Sequence, residues 1–215
     1  VADVAWIDIE LVPRPVLHST QNGQPERGVV YFGKPFTIPF DPASASETTR
    51  AYALERADVS RFRRMVLPLN LDPRPGEPLT SVAVKAVAHP ADGRTLFLDP
   101  TPLRLASSGT RDSRVSVTAG FGLVQSQAET GSQRPREEPY LVARGTRTGT
   151  VQWELTRRSG QGLDGIYELT AIVEMPPDTR GEVELSAAAA VNKKRVGVIG
   201  YTALLTPDVK SLSLP

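Results

Sequence analysis

Ala187 to Tyr201 reads "AAAAVNKKRVGVIGY", the most apolar stretch of the chain, interrupted by four polar residues. Just before it, "GEVELSAAAAV" alternates. Val183, Leu185, Ala187, Ala189 and Val191 fall on one face, with charged and small residues on the other. A period of two is the signature of a half-buried antiparallel strand. The stretch therefore predicts a strand over 183–191, a tight turn at Asn192–Lys194 and a returning strand over 195–205. The competing reading is a membrane-inserted hairpin, whose strands would span about 9–11 residues each. A lipid-facing strand calls for large aliphatics and aromatic girdles, and alanines bury little area. The run reads as a hairpin of a water-exposed sheet, its small residues suited to a crowded sheet face or a close partner.

The same alternation recurs outward from this hairpin. "TGTVQWELT" places Val151, Trp153 and Leu155 on one face. "GIYELTAIVEMP" places Tyr167, Leu169, Ala171, Val173 and Met175 together, with Glu168, Thr170 and Glu174 opposite. "WIDIELV" puts Ile7, Ile9 and Leu11 on one side and Trp6, Asp8 and Glu10 on the other. "GVVYFGKPFTIPF" is apolar throughout, but Pro35 and Pro39 suit an edge strand or a bend. "SVAVKAVAHPADGRTLFLDP" reads as a hairpin around Ala91-Asp92-Gly93. "SRVSVTAGFGLV" is a further, glycine-interrupted strand, and Gln125–Pro139 reads as a long polar loop. Three segments end in Asp-Pro, at Asp41, Asp72 and Asp99, which predicts a strand stop at each.

One segment breaks the pattern. "DPASASETTRAYALERADVSRFRR" opens with Asp-Pro and carries Ser44 and Glu47 at capping-box spacing. It predicts one helix near 44–64, with Tyr52, Val59 and Phe62 near one face. The fold expected is mostly β, an antiparallel two-sheet sandwich or jelly roll of roughly eight to ten strands with about one helix. A single domain over 1–215 is expected; a split would fall within 125–139.

Composition narrows the function. The chain has 215 residues and a formal net charge of +1, so no global field calls for nucleic acid or an anionic membrane. It has no cysteine, which excludes disulfides, thiolate metal sites and cysteine nucleophiles. No apolar run approaches the roughly 18–20 residues of a membrane-spanning helix. The chain begins at Val1, which reads as a processed product or a piece of a longer protein.

Candidate chemistry is sparse. The two histidines, His18 and His89, have no second metal-type ligand at helical or hairpin spacing. His89, before Pro90, is expected on an exposed loop. Gly28–Lys34, "GVVYFGK", fits the letters of a phosphate loop. Pro35 stands where the magnesium-holding hydroxyl belongs, and the interior reads as a strand. No cofactor and no metal are expected.

The pointed local signal is "WIDIE", Trp6 to Glu10. It resembles part of the catalytic strand of laminarinase-type glycoside hydrolases, where Glu-hydrophobic-Asp-hydrophobic-Glu projects three acids on one face of a jelly-roll strand. The resemblance covers five residues. It implies Glu10 as the acid/base and Asp8 as the middle acid, while Trp6 stands where the nucleophile would be. It thus favours sugar binding by Trp6, Asp8 and Glu10 over cleavage. The alternative is the solvent face of a first strand, with Trp6 covering a sheet edge.

Two basic clusters remain. Arg61, Arg63 and Arg64 surround Phe62 at the expected helix C-terminus, where cations complement the dipole or could contact phosphate. Lys193, Lys194 and Arg195 sit at the expected hairpin tip, as a solvated turn or a contact for an acidic partner. The reading is a non-catalytic binding or assembly module that meets a protein partner or copies of itself. A carbohydrate-binding or hydrolase-like jelly roll and a nucleic-acid or phosphate-binding protein are the alternatives.

Overall fold

The computed structural model describes residues 5–14, 24–90, 94–107, 116–119, 124–127, 138–158, 162–194 and 196–214. In chain order the strands are β1 (Trp6–Asp8), β2 (Glu10–Pro13), β3 (Val30–Gly33), β4 (Phe36–Pro39), β5 (Arg61–Leu71), β6 (Leu79–Pro90), β7 (Leu96–Thr101) and β8 (Arg104–Ser107). Then follow β9 (Ser116–Ala119), β10 (Val124–Gln127), β11 (Glu138–Arg144), β12 (Thr150–Thr156), β13 (Gly165–Met175), β14 (Gly181–Lys193), β15 (Gly197–Leu204) and β16 (Ser211–Leu214). Two helices interrupt them, α1 (Glu47–Glu55) and the single turn α2 (Pro207–Lys210).

The strands form two large antiparallel sheets. Sheet A has the order β1-β3-β5-β13-β7, with β4 also on β5. Sheet B has the order β2-β15-β14-β6-β12-β11-β8, with β16 also on β14. There are more strands than expected because single extended runs are divided. Residues 6–13 pair with β3 up to Asp8 and with β15 from Glu10, so the run crosses from sheet A to sheet B at Ile9. Strands β3 and β4 lie end to end along β5, and Pro35, which has no N–H to donate, marks the break.

Alternation decides the core. Val151, Trp153 and Leu155 are all fully buried, as are Leu169 and Val173 of β13 and Leu67 and Leu69 of β5. Both sheets contribute to one continuous apolar cluster that includes Phe32, Val84, Trp153, Leu169, Leu185 and Tyr201. Each fully buried aliphatic or aromatic side chain in it favours folding by about 1.5–3 kcal/mol.

The hairpin of the most apolar stretch is present, with two adjustments. Its ladder continues to Lys193 opposite Gly197, so the reversal starts two residues later than expected, with Lys194 still in the turn. Gly197 takes a φ of +87°, a left-handed conformation that glycine adopts at no steric cost. Both faces of the alanine run are sealed. Ala187 and Ala189 face the core. Ala83, Ala188 and Ala190 lie outside that cluster and are still 0–1% exposed. Among the described residues, strands β9 and β10 pair only with each other, and β9 lies against β6 and β14. Small side chains let this third layer approach sheet B closely.

Four expectations are corrected. Strands β6 and β7 are not a hairpin: β6 belongs to sheet B and β7 to sheet A, and the segment 91–93 lies outside the described residues. Alternation shows that each strand has a buried face but not which sheet it joins. Asp99-Pro100 does not end its strand. Asp99 takes a φ of +46° at an irregularity in the β7–β13 register, and β7 runs on to Thr101. The polar segment 125–139 begins inside β10 and ends inside β11, with 128–137 outside the described residues. The helix is shorter than 44–64. Asp41-Pro42 starts a 3-10 turn, Ser46 rather than Ser44 caps α1 by accepting from the Thr49 amide at 3.3 Å, and β5 has begun by Arg61. Asp99 fixes this entry by accepting from the Ser46 amide at 2.9 Å.

Candidate functional site

Trp6, Asp8 and Glu10 point away from the core, as the alternation requires, and Ile9 and Leu11 point into it. Both acids are tied to the neighbouring segment. The Gly28 amide donates to Asp8 Oδ1 at 2.8 Å. Arg27 donates through Nε to Glu10 Oε2 at 3.0 Å and through Nη2 to the same oxygen. The Glu10 hydrogen bond and charge hold the exposed Arg27 guanidinium above its ordinary pKa. Trp6 is 36% exposed. Asp8 and Glu10 anchor the Arg27–Gly28 segment to β1 and β2.

The first basic cluster is not one patch. Arg61, Arg63 and Arg64 stand on β5 rather than at a helix end, and alternation sends Arg64 to the opposite face from the other two. Arg61 donates to the Thr179 carbonyl at 3.1 Å, and Arg64 donates to Ser44 Oγ. Arg63 Nε is buried without a hydrogen bond among the described residues.

The hairpin tip also departs from expectation, because Lys193 is not solvated. Lys193 shares the inward parity of Val191 at the end of the sheet. Its ammonium lies 2.7 Å from Glu26 Oε1 and bonds Glu77 as well, while Arg74 lies 2.7 Å from Glu26 Oε2. Burial pushes the Lys193 pKa down, but the hydrogen bonds and charges of Glu26 and Glu77 outweigh it and hold the pKa above its ordinary value. The hydrogen bond from Lys193 holds the Glu77 carboxyl below the usual range. Lys194 lies over Gly76, and Arg195 is outside the described residues, as is His18. His89 is exposed, but it sits in strand β6 rather than a loop, with Nε2 3.2 Å from Glu184 Oε2.

A third polar cluster was not legible in the sequence. Glu174, expected on a solvent face, is 3% exposed because α1 and the turn after it cover that part of sheet A. Its carboxylate accepts from Tyr52 at 2.8 Å, Arg56 at 2.6 Å and Ser60 at 2.7 Å. Burial pushes the Glu174 pKa up, but those three hydrogen bonds and the Arg56 charge outweigh it and hold the carboxyl below the usual range. Arg147 stacks on the Tyr52 ring at 4.9 Å. The cluster clamps α1 to the sheet.

Two further surfaces stand apart from these clusters. On the outer face of sheet B, Val12, Val198 and Leu204 are 37%, 43% and 61% exposed, with Thr202 paired opposite Val12 between them. Elsewhere, a cleft of about 250 Å³ opens where the chain passes from β12 to β13, lined by Tyr140, Thr156, Arg158, Gly162, Leu163, Asp164 and Tyr167. Burial, then the nearby Tyr140 and Asp164, raise the Tyr167 pKa. Among the described residues, no group of three or more His, Asp or Glu is placed to hold a metal ion, and no helix is long and apolar enough to cross a membrane.

No protein-family model matches the chain, and no curated protein matches it. Among solved structures, it is similar to the Clostridium perfringens NetB toxin in its membrane-inserted form, at 8% identity and a TM-score of 0.32 over 97% of this chain and 94% of that one. A score that low says nothing about shared activity.

Proposed function

We propose that the chain is a non-catalytic β-sandwich module, one domain built on a shared core, that associates with copies of itself through the outer face of sheet B. The observation that carries this reading is the exposed aliphatic group Val12, Val198 and Leu204 on neighbouring strands β2 and β15. Charged groups that looked available in the sequence, namely Asp8, Glu10, Arg61, Arg64 and Lys193, hold internal contacts instead. That leaves less support for catalysis at the acid row or for a nucleic-acid surface. Val12 and Leu204 flank Thr202, whose hydroxyl accepts from Arg14 Nε at 2.7 Å, and Val198 lies further along β15. Exposed apolar side chains grouped on an outer sheet face are a common mark of association sites.

The test is solution mass by light scattering over a range of protein and salt concentrations. A defined oligomer is expected, little affected by salt. Leu204→Lys should weaken its association on the order of tenfold or more, the loss of one buried leucine. A wild-type chain that stays monomeric at every concentration refutes self-association.

A further inference from the structure

The cleft between β12 and β13 has features that association through sheet B does not use. It lies at the open end of the sandwich, where the chain leaves sheet B and enters sheet A. Tyr140 comes from β11, Thr156 from the end of β12 and Tyr167 from the start of β13. Gly162, Leu163 and Asp164 belong to the crossing segment, and Leu163, 2% exposed and part of the core, roots that segment in the sandwich.

The lining specifies a chemistry. Both tyrosines pack partly against the core, so their rings are held in place with little further entropy to lose. The Tyr167 hydroxyl donates to the Asp164 carbonyl at 3.1 Å, which fixes that ring's orientation. Around them stand one cation, Arg158, one anion, Asp164, and one hydroxyl, Thr156. Among the described residues, the formal charges of that lining cancel. A phosphate or polyanion site calls for an excess of positive charge or a nest of backbone amides. A lipid or drug-like site calls for mostly apolar walls. Donors and acceptors mixed around aromatic rings match a ligand whose hydroxyls both donate and accept and whose C–H face can lie on a ring. The volume of about 250 Å³ is below the roughly 300–1,000 Å³ of drug-sized sites, which leaves room for one ring.

We propose that this cleft binds a single neutral sugar residue, either free or at the end of a glycan. The place differs from the Trp6–Glu10 row that the sequence pointed to, and the role is binding, not hydrolysis.

Saturation-transfer NMR on the full chain tests it. The probes are a panel of neutral hexoses and N-acetylhexosamines, their disaccharides and longer glycans. Free amino acids and inorganic phosphate serve as the opposing probes. Transfer from at least one sugar is expected, confined to one ring when a longer glycan is used. A signal from glycans but not from free sugars assigns the site to a chain terminus. Asp164 is exposed, so Asp164→Asn keeps the fold; it should weaken binding on the order of tenfold, the loss of one charged hydrogen bond. Thr156→Val should weaken it too, with an unchanged unfolding midpoint. No transfer from any sugar, sugar binding unchanged in both variants, or preferential binding of phosphate or amino acids overturns the proposal.

Discussion

Lys193 brings its ammonium into a space shared by Glu26 and Glu77, with Arg74 on the far side of Glu26. Glu26 is only 7% exposed, and Lys193 and Arg74 are the two cations that bond its carboxylate among the described residues. A buried carboxylate that loses a partner keeps its desolvation cost and forfeits the compensating attraction. Lys193→Met preserves the length of the side chain and removes the charge. It should destabilise the fold by about 2–3 kcal/mol, below the usual cost of breaking a buried pair because Arg74 stays in place. Adding Glu26→Gln removes the stranded charge, so the double variant should recover part of the loss. Urea unfolding of the two single variants and the double variant measures that coupling. Strictly additive losses would show that Lys193 and Glu26 do not act as a pair.

Strand β14 shows which part of an element's environment alternation encodes. The inward set, Val183 to Val191, was legible because each residue of that parity is apolar. The outward set was not, because Ala188 and Ala190 are compatible with water as well as with a covering layer, and only the placement of β9 against β14 decides between them. Glu174 failed to show for the same reason, since nothing in "AIVEM" reveals that α1 lies over it. Sheet membership was equally hidden at β6 and β7, which alternate alike and join different sheets. Of the candidate site residues, Asp8 and Glu10 were found on the expected face, whereas the cleft draws on three strands and a crossing segment that share no sequence motif. The sealed outer face is testable. Ala188→Leu adds three carbons where Ala188 is fully buried and faces away from the core. Overpacking there should cost about 1–3 kcal/mol. Thr202→Leu, at an exposed outward position opposite Ala188, loses the hydrogen bond that the hydroxyl accepts from Arg14 at 2.7 Å but overpacks nothing, and should cost less than about 1 kcal/mol. Equal effects at the two sites would mean that no layer covers β14.

Across the whole molecule the shifted groups set the pH range of stability. The carboxyls of Glu77, Glu174 and Glu184 are held below their ordinary values by the partners that bond them. A depressed carboxyl contributes stability that is complete above its unfolded pKa, about 4.3 for glutamate, and is lost as pH falls through the lower folded value. Lys193 is shifted the other way. Its contribution is complete below the unfolded lysine value of about 10.4 and is lost as pH rises through the higher folded one. Tyr52, Tyr167 and Tyr201, all raised mainly by burial, add to the alkaline loss because the unfolded chain ionises them first. Stability should therefore form a plateau between about pH 5 and 9 with a fall on each side. Guanidinium unfolding midpoints between pH 2.5 and 11 trace both limbs. Glu174 is the most buried of the three carboxylates, so Glu174→Gln should lower the plateau and flatten the acid limb while leaving the alkaline limb in place. Lys193→Met should act on the alkaline limb and, through Glu77, on part of the acid one. An acid limb unchanged in slope by Glu174→Gln would place the acid sensitivity in other carboxylates and leave the clamp on α1 with no part in it.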